Sequence, residues 1–457
     1  MIARLSPFAA LLLGACAVLE PAYERPAAPV PAAWPPTAAA TSDDAPLPAW
    51  KTVYADPKIA ALIGQALAQN RDLRIAALTI ERARAQYRVQ RAQSVPAIDA
   101  TASGAIQGFE TAAGETVTRD YSVGVGVTSF EVDLFGRVRS LNRAALQRYL
   151  ATADARESVQ ISLVAEVAAA YLTFAGDLDL LRLAQETLAS QQRSLELTQR
   201  RVAAGASSQL DLERARTTVE TARADVARYT AFVAQDENLL ALLIGGPVPQ
   251  DWRPTRLADV AFGVDELPAA LPSNVLLTRP DIREAERTLR AANADIGAAR
   301  AAFFPNVTIS AFGGQSDARF ENLFSGAGGA WSFTPQVSLP LFDGGARRAG
   351  LGVARADRDI AIASYERSIQ VAFREVADAL AARGTIEEEL AARQALTAAA
   401  QESYRLSEAR YNEGIDSYLS LLDAQRELYA AQQALVSTQV SRATNFVTLY
   451  KVLGGGV

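Results

Sequence analysis

Two stretches of this sequence, 209 positions apart, are copies of one turn. "RVAAGASSQLDLERAR" (Arg201 to Arg216) returns as "RYNEGIDSYLSLLDAQ" (Arg410 to Gln425), setting Gly205 over Gly414, Leu210 over Leu419, Leu212 over Leu421 and Ala215 over Ala424. The same spacing relates "RDLRIA" at Arg71 to "PDIREA" at Pro280, and Val95-Pro96 to Phe304-Pro305. "EVDLFGRVRS" (Glu131 to Ser140) matches "SLPLFDGGARRA" (Ser338 to Ala349) with the spacing shortened to 207. A register held at four separate places marks a duplicated unit, so whatever one copy builds the other builds too. The copies span residues 57–245 and 274–453. A proline-bearing crossing segment, 246–273, joins them, and a short tail occupies 454–457.

Each copy reads in one order: helix, strand, strand, very long helix, turn, helix. In copy one, apolar residues recur at Val164, Val167, Tyr171, Phe174, Leu178, Leu181, Leu188, Leu195 and Val202. Copy two answers with Ile362, Tyr365, Ile369, Val376, Ile386, Leu390, Tyr404 and Tyr411. No proline lies between Pro96 and Pro247 or after Pro340, so no proline kinks these runs. A helix of about 65 residues is ~98 Å long at 1.5 Å per residue, a length that belongs to coiled coils. From the helices alone, a soluble coiled-coil scaffold, a periplasmic structural lipoprotein, fits as well as anything else.

The strands narrow the choice. "DYSVGVGVTSF" sets Tyr121, Val123, Val125 and Val127 against Ser122, Gly124, Gly126 and Thr128, and "WSFTPQVSLPL" alternates in the same way. "AIDATASGAI" and "NVTISAF" alternate more weakly. The pattern predicts strands near 97–109, 120–131, 305–315 and 331–341, a length that suits tilted membrane strands with apolar residues outward. A half-exposed soluble sheet has the same alternation. Four strands cannot close a barrel, however, and open edges are not tolerated in hydrocarbon. Membrane strands would therefore have to be pooled by two or three chains, since bacterial barrels have even counts from eight upward. Pro335 and Pro340 each lack a ladder donor and are expected near a strand end or an interface.

Composition removes most chemistry. There is no histidine, the commonest general base and metal ligand. One cysteine excludes disulfide frameworks and thiolate zinc sites. A net charge of −6 argues against nucleic acid as a partner. The chain reads as a non-enzyme, without metal or cofactor.

The cysteine has another use. Arg4 followed by "PFAALLLGAC" reads as a secretory signal over residues 1–15, too short to span a bilayer. Leu13-Gly14-Ala15-Cys16 resembles the bacterial lipobox, in which the cysteine is acylated and becomes the first mature residue. Such acyl chains anchor a protein without spanning the membrane. Beyond it, "EPAYERPAAPVPAAWPP", within residues 16–56, reads as an extended polyproline-like arm. No later segment offers eighteen consecutive apolar residues.

Lipobox, "YERP" arm, duplicated helix–hairpin–helix units and paired "G…L…L" turns together resemble the TolC-like outer membrane factor family, in its lipid-anchored efflux branch. The resemblance implies a mainly α fold with transmembrane β: three chains share a twelve-strand barrel, four strands each, continued by a periplasmic α-helical barrel. It implies a passive exit duct for small molecules in the outer membrane, with a periplasmic adaptor and an inner-membrane pump, of the RND type, as partners. A type I protein-secretion duct is the alternative within the same family.

The resemblance also assigns residues. The turns would lie at the end farthest from the strands and meet the adaptor through Gly205, Ser207, Ser208, Gly414, Asp416 and Ser417. Leu419 and Asp423 match the periplasmic constriction. Arg426 and Tyr411 match residues that hold it closed, and Asp211 on the other hairpin is an expected partner for Arg426. Where another common form of the family has arginine and aspartate, this chain has Asp416 and Ser420, which implies a ring of three Asp423 carboxylates rather than six acidic groups. Independently of resemblance, Gly205 and Gly414 suit the left-handed end of a long helix, and the serines after them suit N-caps.

Overall fold

The computed structural model describes residues 19–34, 47–112, 114–264, 273–325 and 328–455. The expected signal over residues 1–15 and the expected acylation site, Cys16, lie outside these residues. After a single helical turn at Trp50–Val53, copy one runs α1 (Pro57–Gln69), α2 (Arg71–Ala92), β1 (Asp99–Thr111), β2 (Gly114–Val132), α3 (Arg137–Ala203) and α4 (Gln209–Ile244). Short 3-10 turns occupy the crossing segment. Copy two follows as α5 (Pro280–Ala301), β3 (Asn306–Asp317), β4 (Gly329–Ser338), α6 (Ala346–Asn412) and α7 (Tyr418–Val452).

The duplication is visible in the element ends. α2 and α5 begin and end 209 positions apart, and so do α3 and α6, each 67 residues long. At 1.5 Å per residue such a helix extends ~100 Å.

The four strands form one antiparallel sheet in the order β1-β2-β3-β4. Register sorts its faces as the alternation requires. Ala102, Val123, Val125, Ile309, Ala311, Trp331, Phe333 and Val337 share one face; Thr101, Ser103, Ser122, Ser310, Ser332 and Thr334 share the other. Phe312 is an aromatic on the polar face, where its ring tip covers Gly124 and Gly314. Pro335 lies in the edge strand β4 opposite Ile309, and Pro340 lies past the strand's end.

Two strand bounds differ from expectation. β2 starts at Gly114 rather than near 120, because Thr111 pairs with Gly114 and "ETVTRD" continues the ladder with β1 beyond the last β2–β3 pair, Tyr121 with Asp317. These residues read as loop because they are mostly polar and carry no apolar alternation, and β3 does not extend far enough to pair with them. β4 ends at Ser338 rather than 341.

Compactness cuts across the repeats, uniting corresponding parts of both copies. One unit holds the arm to Ala28, Leu78–Asp154 and Arg283–Ser368; the other holds Pro29–Ala77, Ala155–Ile282 and Ile369–Val457. In the first, the arm runs along α5. The Leu19 carbonyl accepts from Arg300 at 3.2 Å and Pro21 from Asn293 at 2.8 Å. Glu286 receives Tyr23 at 3.1 Å and both ends of the Arg25 guanidinium, while Arg290 packs over the Tyr23 ring. In the second unit, Tyr171, Leu172, Phe174, Tyr54, Leu62, Ile63 and Val376 are buried, and Trp34 stacks on Phe373 at 5.6 Å. α3 contains a window long and apolar enough to cross a membrane, but 61% of it is buried inside the protein as core.

Candidate functional site

The two turns predicted as tips are built to one plan. Gly205 and Gly414 take φ of +72° and +77°, values a β-carbon would resist. In the first, Ala206 N–H donates to Arg201 at 2.7 Å and Gly205 N–H to Val202 at 2.9 Å; in the second, Ile415 donates to Arg410 at 2.9 Å and Gly414 to Tyr411 at 3.0 Å. This double closure is the Schellman motif, which satisfies the last carbonyls of a helix.

The following helices start on serines, with one difference between copies. Ser208 accepts from Asp211 N–H at 3.1 Å, and Asp211 accepts back from Ser208 N–H at 3.3 Å, completing a capping box. Position 209 further on holds Ser417, whose hydroxyl accepts from Ser420 N–H at 3.4 Å without the returning carboxylate. Copy two compensates from the side: Arg410 grips Asp416 through two nitrogens at 2.7 and 2.9 Å, holding that carboxyl below its usual range.

The turns also touch each other. The Arg201 guanidinium lies 4.5 Å from the Tyr411 ring centre, a cation–π contact joining the end of α3 to the end of α6. Beneath it, Tyr411, Tyr418, Leu421, Leu422 and Ala215 form a buried cluster. Farther from the tips, Tyr429 donates to Asp225 at 3.0 Å and Gln433 to the Tyr229 hydroxyl at 3.1 Å, tying α7 to α4.

The remaining predicted residues face outward within one chain. Leu419 is 41% exposed, and Asp423 and Arg426 are exposed on the same helix. Arg426 forms no ion pair among the described residues of one chain. Asp211, its expected partner, is instead engaged by Ser208 and by Ser207 at 3.2 Å, with Arg214 at 3.7 Å, and its carboxyl is held below the usual range chiefly by the Ser208 hydroxyl. An N-terminal helix position draws a carboxylate to its own cap, and that local demand is met first. Sequence reasoning missed the Arg201–Tyr411 and Arg410–Asp416 contacts. Their signal was present in the duplication, which aligns Arg201 with Arg410. Among the described residues, no group of three or more histidine, cysteine, aspartate or glutamate side chains could hold a metal ion.

Comparison with known proteins agrees with this architecture. The family profile described as "Outer membrane efflux protein" matches twice, at residues 62–246 and 271–455, again 209 apart. The chain is 47% identical over 457 residues to the probable efflux pump outer membrane protein TtgC of Pseudomonas putida, covering 98% of this chain and 94% of that one. It is 45% identical over 460 residues to the outer membrane protein OprJ of Pseudomonas aeruginosa, covering 98% and 94%. Its structure superposes on the open state of the MtrE outer membrane channel of Neisseria gonorrhoeae with a TM-score of 0.87 at 38% identity, covering 96% of this chain and 98% of that one. Doubled profile, relatives matched over nearly their whole length, and shared fold lead to one conclusion: the chain belongs to the outer membrane efflux protein family.

Proposed function

We propose that three copies of this chain form the exit duct of a tripartite efflux system, a passive path for small molecules across the periplasm and outer membrane. The observation that carries the reading is the sheet: four strands with two open edges, presenting an apolar face on which Trp331 is 83%, Phe333 59% and Val337 67% exposed. In hydrocarbon each unpaired backbone group costs several kcal/mol, so the edges require neighbours, and three copies supply a closed twelve-strand barrel. The polar face then lines the lumen. The 67-residue helices continue the duct through the periplasm.

Acylation of Cys16 adds an anchor. The arm supports this: Leu19, three residues downstream, is held by Arg300 at the end of α5, just ahead of β3, so the lipid would emerge at the foot of the sheet. The turns at Gly205 and Gly414 receive the tips of a periplasmic adaptor that links the duct to an inner-membrane pump of the RND type. Leu419 and Asp423, exposed in one chain, form rings around the threefold axis, an aliphatic collar beside three carboxylates that disfavour anions. Arg426 and Tyr411, with Asp211 on the other hairpin, hold the closed arrangement. The adaptor has only to bias two packings that differ by a few kcal/mol.

Asp423→Ala combined with Arg426→Ala is expected to raise single-channel conductance in planar bilayers several-fold. Unchanged conductance removes the gate assignment. A full-length chain that runs as a monomer without heating removes the duct itself.

A further inference from the structure

The duplication exposes one place where the copies differ in kind. Asp177 on α3 and Asp236 on α4 are neighbours close enough for each carboxyl to act on the other, and Asp236 Oδ2 is shut away from water with no hydrogen-bond partner among the described residues. The equivalent positions in copy two are Ile386 and Asn445, and Asn445 donates to the Ala379 carbonyl at 3.0 Å. Copy two therefore closes the same point with no titratable group. Asp177 lies 26 residues before the end of α3 and Asp236 lies 27 after the start of α4, so the pair sits at the base of the hairpin, ~40 Å from its turn.

Among the described residues, no cation acts on either carboxyl. Burial raises both carboxyls; Asp177 raises Asp236 further, whereas Asp236 lowers Asp177, as expected when the proton resides on Asp236. The charged groups around them are committed elsewhere. On α3, Asp179 is held by Arg182 at 2.7 Å and by Leu257 N–H at 3.0 Å. On α4, Glu237 pairs with Arg253, and Lys58 of α1 donates to the Arg253 carbonyl at 2.9 Å. On α7, which meets α3 where Val440 packs against Gly176, Arg442 pairs with Glu387. Two carboxylates in contact without a counter-charge cannot both ionise cheaply, so one proton stays between them well above the ordinary range. Burial, with Asp177 behind it, pushes the Asp236 carboxyl up to about 7.

The geometry points to a proton-sharing clasp at the base of the α3–α4 hairpin: Asp177 and Asp236 close it while they hold one proton and loosen it when that proton leaves. The periplasm follows the external medium in pH, so the first hairpin carries a response near neutral pH that the equivalent positions of the second, Ile386 and Asn445, do not supply. The sign follows from linkage. The folded chain binds this proton more tightly than the unfolded chain, so the pair's contribution is fully present below the unfolded carboxylate value near 4 and is lost as pH rises to about 7.

The test uses the purified full-length chain and does not depend on channel activity. Asp236→Asn replaces the proton-bearing oxygen with a permanent donor. It is expected to leave the unfolding temperature within about a degree of wild type at pH 5 and to raise it by several degrees at pH 8. Asp177→Ile with Asp236→Asn, which copies the Ile386–Asn445 arrangement, should show the same pH-dependent gain. Hydrogen exchange of residues 170–180 and 230–240 should be slower in both variants than in wild type at pH 8 and equal to it at pH 5. An equal shift at both pH values, or a loss at both, overturns the clasp. So does millimolar calcium chloride raising wild type, but not the variants, at pH 8, because the pair would then be a cation site.

Discussion

At the residue scale, the two turns show how one backbone can be closed by different side chains. Ser208 and Asp211 exchange hydrogen bonds at the head of α4, whereas Ser417 meets Ser420 at the head of α7 through a long bond from the Ser420 N–H at 3.4 Å and a hydroxyl–hydroxyl contact at 3.2 Å. An N-cap contributes ~1 kcal/mol when its geometry is complete. Ser208→Ala should therefore destabilise its hairpin by about that amount, and Ser417→Ala by roughly half or less, because the Arg410–Asp416 clamp remains. Hydrogen exchange across residues 203–215 and 412–424 reads the two separately. The capping carboxylate adds a pH signature opposite to that of the clasp at the hairpin base. Asp211 titrates below its unfolded value, so its contribution is present above about pH 4 and is lost as pH falls further.

At the element scale, the sheet depends on where backbones approach. A β-carbon on Gly124 would stand 2.5 Å from the Gly313 carbonyl oxygen, 2.7 Å from the Phe312 ring and 2.8 Å from Gly314 Cα, so β2 and β3 would have to separate. A β-carbon on Gly313 would meet nothing within 4 Å. Gly124→Ala should accordingly reduce the yield of heat-modifiable oligomer sharply, while Gly313→Ala leaves it near wild type; equal yields would refute the β2–β3 register. Such contrasts also define what the sequence could reveal. Helix ends were legible because Gly205 and Gly414 must adopt φ near +75°, and because the copy vouches for each boundary. The start of β2 was not, since Glu115, Thr116, Arg119 and Asp120 carry no apolar face to announce a strand. The arm was recognised as extended, yet its seat on Glu286, 261 positions from Arg25, leaves no local pattern to read. A carboxylate and a guanidinium on adjacent hairpins invite pairing, and what the sequence does not show is that within one chain the cap one turn away reaches Asp211 first.

At the scale of the whole molecule, everything turns on which face of the sheet meets lipid. Apolar alternation fixes two faces but does not by itself say which solvent each meets, and a soluble sheet would simply bury the apolar one. Here that face is bare, with Phe333 and Val337 exposed beside an edge whose ladder has no partner among the described residues. Neighbouring positions on β4 therefore separate the two solvents. Phe333→Arg would set a guanidinium on the apolar face, where a mid-bilayer arginine costs about 2–4 kcal/mol per chain, repeated in each copy of the barrel. Assembly in the outer membrane should drop sharply. Thr334→Arg, one residue on and on the opposite face, would point the same charge into a watery lumen, where it leaves assembly intact and turns the reversal potential in a salt gradient toward anions. Reciprocal behaviour, with Thr334→Arg blocking assembly and Phe333→Arg altering selectivity, would mean that the sheet is inside out. Equal tolerance of both would mean that neither face meets lipid, and the barrel, together with the helical duct built on it, would have to be abandoned.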